Sequence, residues 1–297
     1  MTPGRGPGER RRLREERSRR AVAAAVALAR ENGLRVGEPF VLADLFSLMV
    51  HLRPVPVVAR VATRMPRLRA PIAPWLEREI AVAGYLWGRG APVVAPSGEL
   101  PPGPHERDGL WISFWTHVPP DPERVPTADD CSAMLPDLHD ALRSYPGDLP
   151  ALGADDIPRG LGQLARAGDL LSEADVGLLR ASAERLRPLW EAPGDDVRPL
   201  HGDAHPGNLI AARGGGLVWI DFEDACLGPA EWDLATIMDP AAVAAHHSPD
   251  PGRMARCTEL RALQVALSLI AFRDDLGDLE GWDEGIRWAL GALASSS

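Results

Sequence analysis

Asp203, Asn208 and Asp221 are the residues of this chain whose types and spacing can do chemistry. They lie in two short stretches, His201-Gly202-Asp203-Ala204-His205-Pro206-Gly207-Asn208 and Trp219-Ile220-Asp221-Phe222-Glu223. A loop with the D-x-x-x-x-N spacing aims one carboxylate at a substrate hydroxyl and turns a neutral amide toward a metal ion. Asp221 adds a second, charged ligand. The residues between the two stretches read as a β-hairpin: Leu209-Ile210, a turn at Gly214-Gly215-Gly216, then Leu217 to Ile220. Such a hairpin folds Asp221 back beside Asn208. One acid for the nucleophile and two oxygen ligands for Mg²⁺ are the minimum set for phosphoryl transfer.

A third stretch, Gly228-Pro229-Ala230-Glu231-Trp232-Asp233-Leu234-Ala235, follows. In order and spacing the three resemble the aminoglycoside phosphotransferase and choline-kinase-like family. The similarity is strong over about residues 195–240 and weaker upstream to about residue 36. The resemblance implies an α+β, two-lobed, protein-kinase-like fold with a small β-rich N-lobe and a larger α-helical C-lobe. It implies transfer of the γ-phosphoryl group of ATP or GTP, with Mg²⁺, to a hydroxyl of a small molecule. An aminoglycoside or other antibiotic, an amino alcohol and a sugar are all open as acceptors. Asp203 is then the catalytic base, and Asn208 and Asp221 hold the metal. Asp233 starts a helix, where a carboxylate caps free amides; in the family the matching Asp supports the catalytic loop. Glu223 stands where the D-F-G motif of protein kinases has Gly, and the small-molecule branch commonly carries an acid there. It either hydrogen-bonds the loop or contacts metal through water.

Two readings are open for His201 and His205. They join Asp203 as zinc ligands of a hydrolase, or they orient the loop through hydrogen bonds to backbone carbonyls. The loop's Asn208 and the hairpin to Asp221 serve the second reading, since a zinc hydrolase needs neither.

The nucleotide's phosphates raise a difficulty. Kinases place a lysine on them, and this chain contains no lysine. Arg60, on an expected strand, is the substitute, with Glu79 on the following helix as its partner, a spacing similar to the kinase Lys–Glu pair. Arginine holds phosphates bidentately and pairs with carboxylates. Glu77 is the alternative partner, and a surface arginine on an edge strand is the plain alternative. No Gly occurs between Gly37 and Gly84, so the phosphate-covering turn falls at Asp44 to Ser47, with Ser47 as donor. Phe114-Trp115-Thr116-His117-Val118 is the expected hinge, whose backbone meets a purine at Trp115 and His117. The missing Lys and Gly-rich loop also support a rival reading, a pseudokinase that binds nucleotide or ligand and transfers nothing.

The chain has 297 residues and a net charge of −10, which argues against nucleic acid and suits a cationic acceptor. Asp274, Asp275, Asp278, Asp283 and Glu284 either line the acceptor site or are solvated helix faces. Cys131, Cys226 and Cys257 lack metal-ligand spacing and read as reduced core thiols of a cytoplasmic protein. No apolar run is long enough for a membrane span. Ser18-Arg19-Arg20 before an Ala/Val run faintly resembles a twin-arginine export signal, against a short apolar stretch with acidic flanks.

The elements expected to carry these residues divide the chain at 1–35, 36–117 and 118–297. The first part is a solvated, charge-dense tail to residue 20, then a helix over 21–33. Strands follow across 36–62, a helix over 75–88, and strands at 92–94 and 110–115. Helices are expected at 129–142, 161–171, 173–189, 234–243, 259–276 and 281–294, with a linker at 248–252.

Overall fold

The computed structural model describes residues 7–192, 194, 196–277 and 279–295. The order of elements is α1 (Pro7–Glu31), β1 (Phe40–Asp44), β2 (Leu48–His51), β3 (Val57–Val61), α2 (Ala73–Gly88), β4 (His105–Arg107) and β5 (Leu110–Thr116). Then come α3 (Ala128–Leu142), α4 (Asp156–Leu161), α5 (Glu173–Leu186), α6 (Pro188–Glu191) and β6 (Arg198–Leu200). The last group is β7 (Leu209–Ala211), β8 (Leu217–Trp219), β9 (Cys226–Gly228), α7 (Glu231–Ile237), α8 (Pro240–His246), α9 (Pro251–Leu276) and α10 (Trp282–Ser295).

The N-terminal part is one antiparallel sheet in the order β1-β2-β3-β5-β4. Its central strand, β3, reads Val57-Val58-Ala59-Arg60-Val61 and is buried throughout. β-branched residues on both faces suit a strand covered on both sides. One face packs against Ala21, Ala24, Ala25 and Ala29 of α1. On the other, Val58 and Trp115 join Val82, Ala83 and Leu86 of α2 in a core shared with the C-terminal part, where Leu209, Trp219 and Phe222 complete it. The remaining core surrounds α9, packed against α4, α5, α7 and α10. Among the described residues, four helices are started by side chains of the expected kinds: Thr127 with Asp130, Ser172 with Asp175, Asp239, which accepts from the Ala241 and Ala242 amides, and Asp250, which accepts from the Arg253 amide. The result is a kinase-like fold, a five-stranded sheet followed by a mostly helical region. No helix among the described residues is long and apolar enough to cross a membrane.

Several expectations need correction. Residues 7–20 are not a solvated tail but the first half of α1; residues 1–6 lie outside the described residues. Arg14 and Arg17 reach the carbonyl and carboxylate of Asp275 on α9, so tertiary contacts fix turns that composition left open. Residues 92–94 are not a sheet strand. Val94 donates to the Trp219 carbonyl and ties the N-terminal part to the hairpin; the additional strand is β4. The helix expected over 234–243 is two, split at Met238 in the left-handed region (φ 57°). The linker expected at 248–252 is shorter, because Pro251 already begins α9. The helix expected at 161–171 is α4 followed by 3₁₀ turns, and the one at 173–189 breaks before Pro188.

Candidate active site

The hairpin forms as the sequence suggests. Leu209, Ile210 and Ala211 pair with Trp219, Val218 and Leu217, and the Ile220 amide donates to the Asn208 carbonyl at 3.0 Å. That bond sets Asp221 beside Asn208. All three turn glycines have positive φ, the region that costs glycine least. Asp221 itself sits at φ 68°, a left-handed conformation uncommon outside glycine and of the kind found where a side chain must be aimed.

The loop before the hairpin is held from below by Asp233, which has no solvent exposure. One carboxylate oxygen accepts the His201 amide at 2.9 Å and the His139 ring at 2.8 Å; the other accepts the Gly202 amide at 2.8 Å. Trp232 and Thr236 of the same helix donate to the carbonyls of Gly202 and Ala204. A Cβ at Gly202 (φ 86°) would fall 1.9 Å from the Asp224 carbonyl oxygen, so only glycine lets the loop lie against that segment.

His201 is fully buried. Its Nδ1 accepts the Asp203 amide at 3.3 Å and its Nε2 donates to the Ile220 carbonyl at 3.0 Å. Burial holds its pKa below the ordinary value despite Asp233, Asp203 and Asp221 nearby, so the ring is neutral. With both nitrogens engaged, it joins loop to hairpin and has no lone pair for zinc. His205 Nδ1 accepts the Gly207 amide, and its Nε2 lies 3.3 Å from Asp203 Oδ2.

Asp203 Oδ1 meets Arg261 of α9 at 2.7 Å, and Oδ2 accepts the Asn208 side-chain amide at 3.1 Å. Burial pushes this carboxyl up, but Arg261 and the hydrogen bond from His205 outweigh it and hold the pKa well below the usual carboxylate range.

Arg60 lies in this site and not on a surface: its side chain is 6% exposed. It contacts Glu79 at 2.5 Å, Asp221 at 2.8 Å and Glu223 at 2.6 Å. Burial would strip its proton, but the three carboxylates raise the pKa well above normal. Burial pushes the Glu79 carboxyl up, against the pull of Arg60. Glu79 is the arginine's partner; Glu77 is not. Ser47 Oγ lies 3.5 Å from Arg60 Nε, at the end of the covering turn. Glu223 is buried and ion-paired to Arg60 and Arg69.

These residues line one cleft of about 570 Å³ between the two parts of the molecule. Val58, Val94, Ile210 and Ile220 give it an apolar stretch, and Trp115 to Val118 also line it. The His117 ring stacks on His51 at 3.7 Å, and the Trp115 indole donates to Ser113. The amides of Thr116 and His117 already donate to Ala95 and Pro56.

Sequence reasoning missed several residues here. Arg69 chelates Asp224 at 2.7 and 2.8 Å and also pairs with Glu223, and Phe46 at the covering turn packs on Phe272 at 5.0 Å. Arg261 was missed as well. Its signal was available: Arg261, Gln264 and Ser268 fall on one helical face, a polar stripe beside an apolar core. Of the acids considered for an acceptor site, Asp274, Asp275, Asp283 and Glu284 pair with Arg166, Arg67, Arg273 and Arg287 and do not line the cleft. Asp278 lies outside the described residues.

For Mg²⁺ the residues present fit. The Asn208 amide nitrogen is spent on Asp203, which leaves its oxygen as the free donor atom, and Asp221 is the most exposed of the acids around Arg60. Six carboxylates line the cleft against three arginines. No cluster of three or more His, Cys, Asp or Glu set for a metal occurs among the described residues. Asn208 and Asp221 suit a cation that takes one or two protein ligands and completes its shell with phosphate and water.

The chain matches the model of the phosphotransferase enzyme family (APH) over residues 56–263. No curated protein matches the sequence. Among solved structures, choline kinase LicA from Streptococcus pneumoniae is similar at 14% identity, with 92% of this chain and 99% of that chain covered and a TM-score of 0.62. An amicoumacin kinase in complex with AMP-PNP, Ca²⁺ and Ami gives 12% identity, 95% and 96% coverage and a TM-score of 0.64. A spectinomycin phosphotransferase in complex with ADP and spectinomycin gives 11%, 92% and 97%, and 0.61. At these identities the structural likeness carries the fold. The family model spans more than half of the sequence and takes in the loop, the hairpin and the helix that braces them, so the chain belongs to the phosphotransferase enzyme family and is a small-molecule phosphotransferase.

Proposed function

We propose that the protein transfers the γ-phosphoryl group of ATP or GTP to a hydroxyl of a small molecule, with Asp203 facing that hydroxyl. The observation that carries this is the joint placement of Asp203, Asn208, Asp221 and Arg60 around one cleft. The purine lies between Val58 and Ile220, against the hinge. With the Thr116 and His117 amides committed, its hydrogen bonds fall to carbonyls and to Val118. Arg60, positioned by Glu79, contacts the phosphates, and Ser47 donates from the covering turn. Asn208 and Asp221 hold Mg²⁺, which when bound neutralises charge on the phosphates.

The acceptor oxygen attacks phosphorus in line. The new O–P bond forms as the bond to the bridging oxygen breaks, and the hydroxyl proton passes to Asp203. A carboxylate with so depressed a pKa is a weak base. It therefore orients the hydroxyl and takes the proton late, once the oxygen has become acidic through bonding to phosphorus. His201, His205 and Asp233 keep the loop in place. The two lobes meet near Val118, with α1 as an appendage of the first. An intact Asp203, Asn208 and Asp221 weighs against an inactive binding protein. Incubation with hydroxylated compounds and ATP or GTP, read as a mass gain of one phosphoryl group, tests the reading. Asp203→Asn should lower that transfer by about 10²-fold or more while nucleotide affinity holds; near-normal turnover removes Asp203 from its role.

A further inference from the structure

A transferring phosphoryl group brings negative charge into a cleft where six carboxylates already face three arginines. Two of those arginines are heavily committed. Arg60 is shared by Glu79, Asp221 and Glu223, and Arg69 by Glu223 and Asp224, with Asp156 at 3.9 Å. Arg261 pairs with one carboxylate, Asp203, at 2.7 Å. Its side chain is 14% exposed, and Nη1 donates to Gln264 Oε1 at 2.6 Å, about one turn along α9, which fixes the guanidinium beside the loop.

The contact between Arg261 and Asp203 leaves both partly unsatisfied. Nη2 approaches Asp203 Oδ1 off the line of a hydrogen bond, so that buried oxygen is charge-paired yet accepts no proton, and Arg261 Nε is buried without a partner. The other oxygen, Oδ2, already accepts from Asn208. A free donor and a free acceptor side by side suit a substrate that serves both. A hydroxyl in attack on phosphorus does so. Its proton goes to Oδ1, and the oxygens of the phosphoryl group it joins accept from the guanidinium.

We infer that Arg261 is a further catalytic residue, which lies against Asp203 Oδ1 before reaction and moves onto the phosphoryl group during transfer to hold the charge there. This rests on the phosphotransfer reading above. The bonds made and broken are those already given, and no further reactant enters. The acceptor proton passes to the oxygen that Arg261 uncovers. Asp203 also becomes a stronger base as its cationic neighbour leaves. An arginine supplied to a phosphoryl-transfer transition state contributes about 10³–10⁵-fold in rate.

ADP, Mg²⁺ and tetrafluoroaluminate mimic the group in flight with water in the acceptor's place, so the test needs no known acceptor. Binding to the full chain is measured by calorimetry with and without tetrafluoroaluminate. The parent should gain about 10²-fold or more in affinity, as transition-state analogues do. Arg261→Met should bind Mg·ADP within about twofold of the parent and lose most of that gain, the pattern of a contact made only in the transition state. Arg261→Lys keeps a charge beside Asp203 and carries the test if the methionine variant fails to fold; it should lose about tenfold of the gain, since a point charge lacks the guanidinium fork. Guanidinium ion should restore part of the gain to Arg261→Ala. The loss should persist in an Asp203→Asn background; a loss seen only with Asp203 present would mean that Arg261 acts through the carboxylate alone, and overturns the proposal. An undiminished gain in Arg261→Met, or equal weakening of Mg·ADP with and without tetrafluoroaluminate, overturns it too. A parent protein that gains nothing from tetrafluoroaluminate overturns the phosphotransfer reading and this inference with it.

Discussion

Replacing Arg60 by methionine removes a cation from among three carboxylates while keeping much of the side chain's length. Glu79 and Glu223 are 4% and 5% exposed and lie 2.5 and 2.6 Å from the guanidinium. Breaking a buried ion pair by deleting one partner costs about 3–5 kcal/mol, because the remaining charge is left without water or counter-ion. A protein of 297 residues has an unfolding entropy of roughly 0.6 kcal/mol/K, so that loss lowers Tm by about 5–8 °C. Calorimetry or fluorescence melting reads it directly. A second measurement separates structure from site. Arg60 holds one oxygen of Asp221 at 2.8 Å, so it competes with metal there. Saturating MgCl₂ should raise Tm more in Arg60→Met than in the parent, while nucleotide affinity and turnover fall together. Adding Glu79→Gln should recover part of the lost stability, with a coupling of about 0.5–3 kcal/mol expected for groups in contact. Arg60→Lys should keep some activity, since a point charge still reaches phosphate without the bidentate geometry. The reasoning fails if Arg60→Met melts within about 2 °C of the parent and binds nucleotide equally well, against the shift set by the buried-pair cost.

Asp221→Ala should abolish Mg²⁺-dependent nucleotide binding, and Asn208→Ala should weaken it less, because a charged oxygen contributes more to a hard cation than an amide; titrations of both that match the parent would move the metal elsewhere. In Asp233→Asn one oxygen must serve where two now accept three donors, so at least one buried donor loses its partner at a cost of about 1–3 kcal/mol. Turnover should fall more than nucleotide affinity, since the loop shifts and the cleft walls do not; an unchanged kcat refutes the bracing role. The Asp203 carboxyl is held below its ordinary value of 3.8, with burial outweighed by Arg261 and His205. Its contribution to stability is therefore complete above 3.8 and is lost as pH falls through the lower folded value. A pH–rate profile should show no acid limb from Asp203 between about pH 5 and 8, the range above a normal carboxyl, and Arg261→Met should shift its titration upward.

What was legible in the sequence was local. The D-x-x-x-x-N loop, the glycine turn and the strand of valines around Arg60 are set by spacing, φ and hydrophobic pattern, and all form where expected. The Arg60–Glu79 pair could be read because a strand and the next helix fix it. The partners that come from far along the chain could not. Arg261 reaches Asp203 from α9, and Arg69 reaches Asp224 across 155 positions. Nothing in a one-dimensional pattern tells an arginine on a polar stripe from one that closes a buried network. The same limit explains α1, whose charged half looked solvated until Asp275 gave Arg14 and Arg17 their partners. It also explains why Asp274 and Asp283 could be read either as acceptor-site acids or as solvated helix faces, when arginines of neighbouring segments already pair with them.

If Arg60 meets the phosphates as proposed, its guanidinium also decides which reagents can mark this protein. A lysine there would be a nucleophile, open to acylating or Schiff-base-forming nucleotide analogues that label amines near bound phosphates. Arg60 is kept protonated by three carboxylates and offers no free amine. The sequence holds no lysine elsewhere, so amine-directed affinity reagents would find no side chain in the nucleotide cleft to modify. A covalent probe for this site would have to be built for arginine, with dicarbonyl chemistry, or for the carboxylates that surround it.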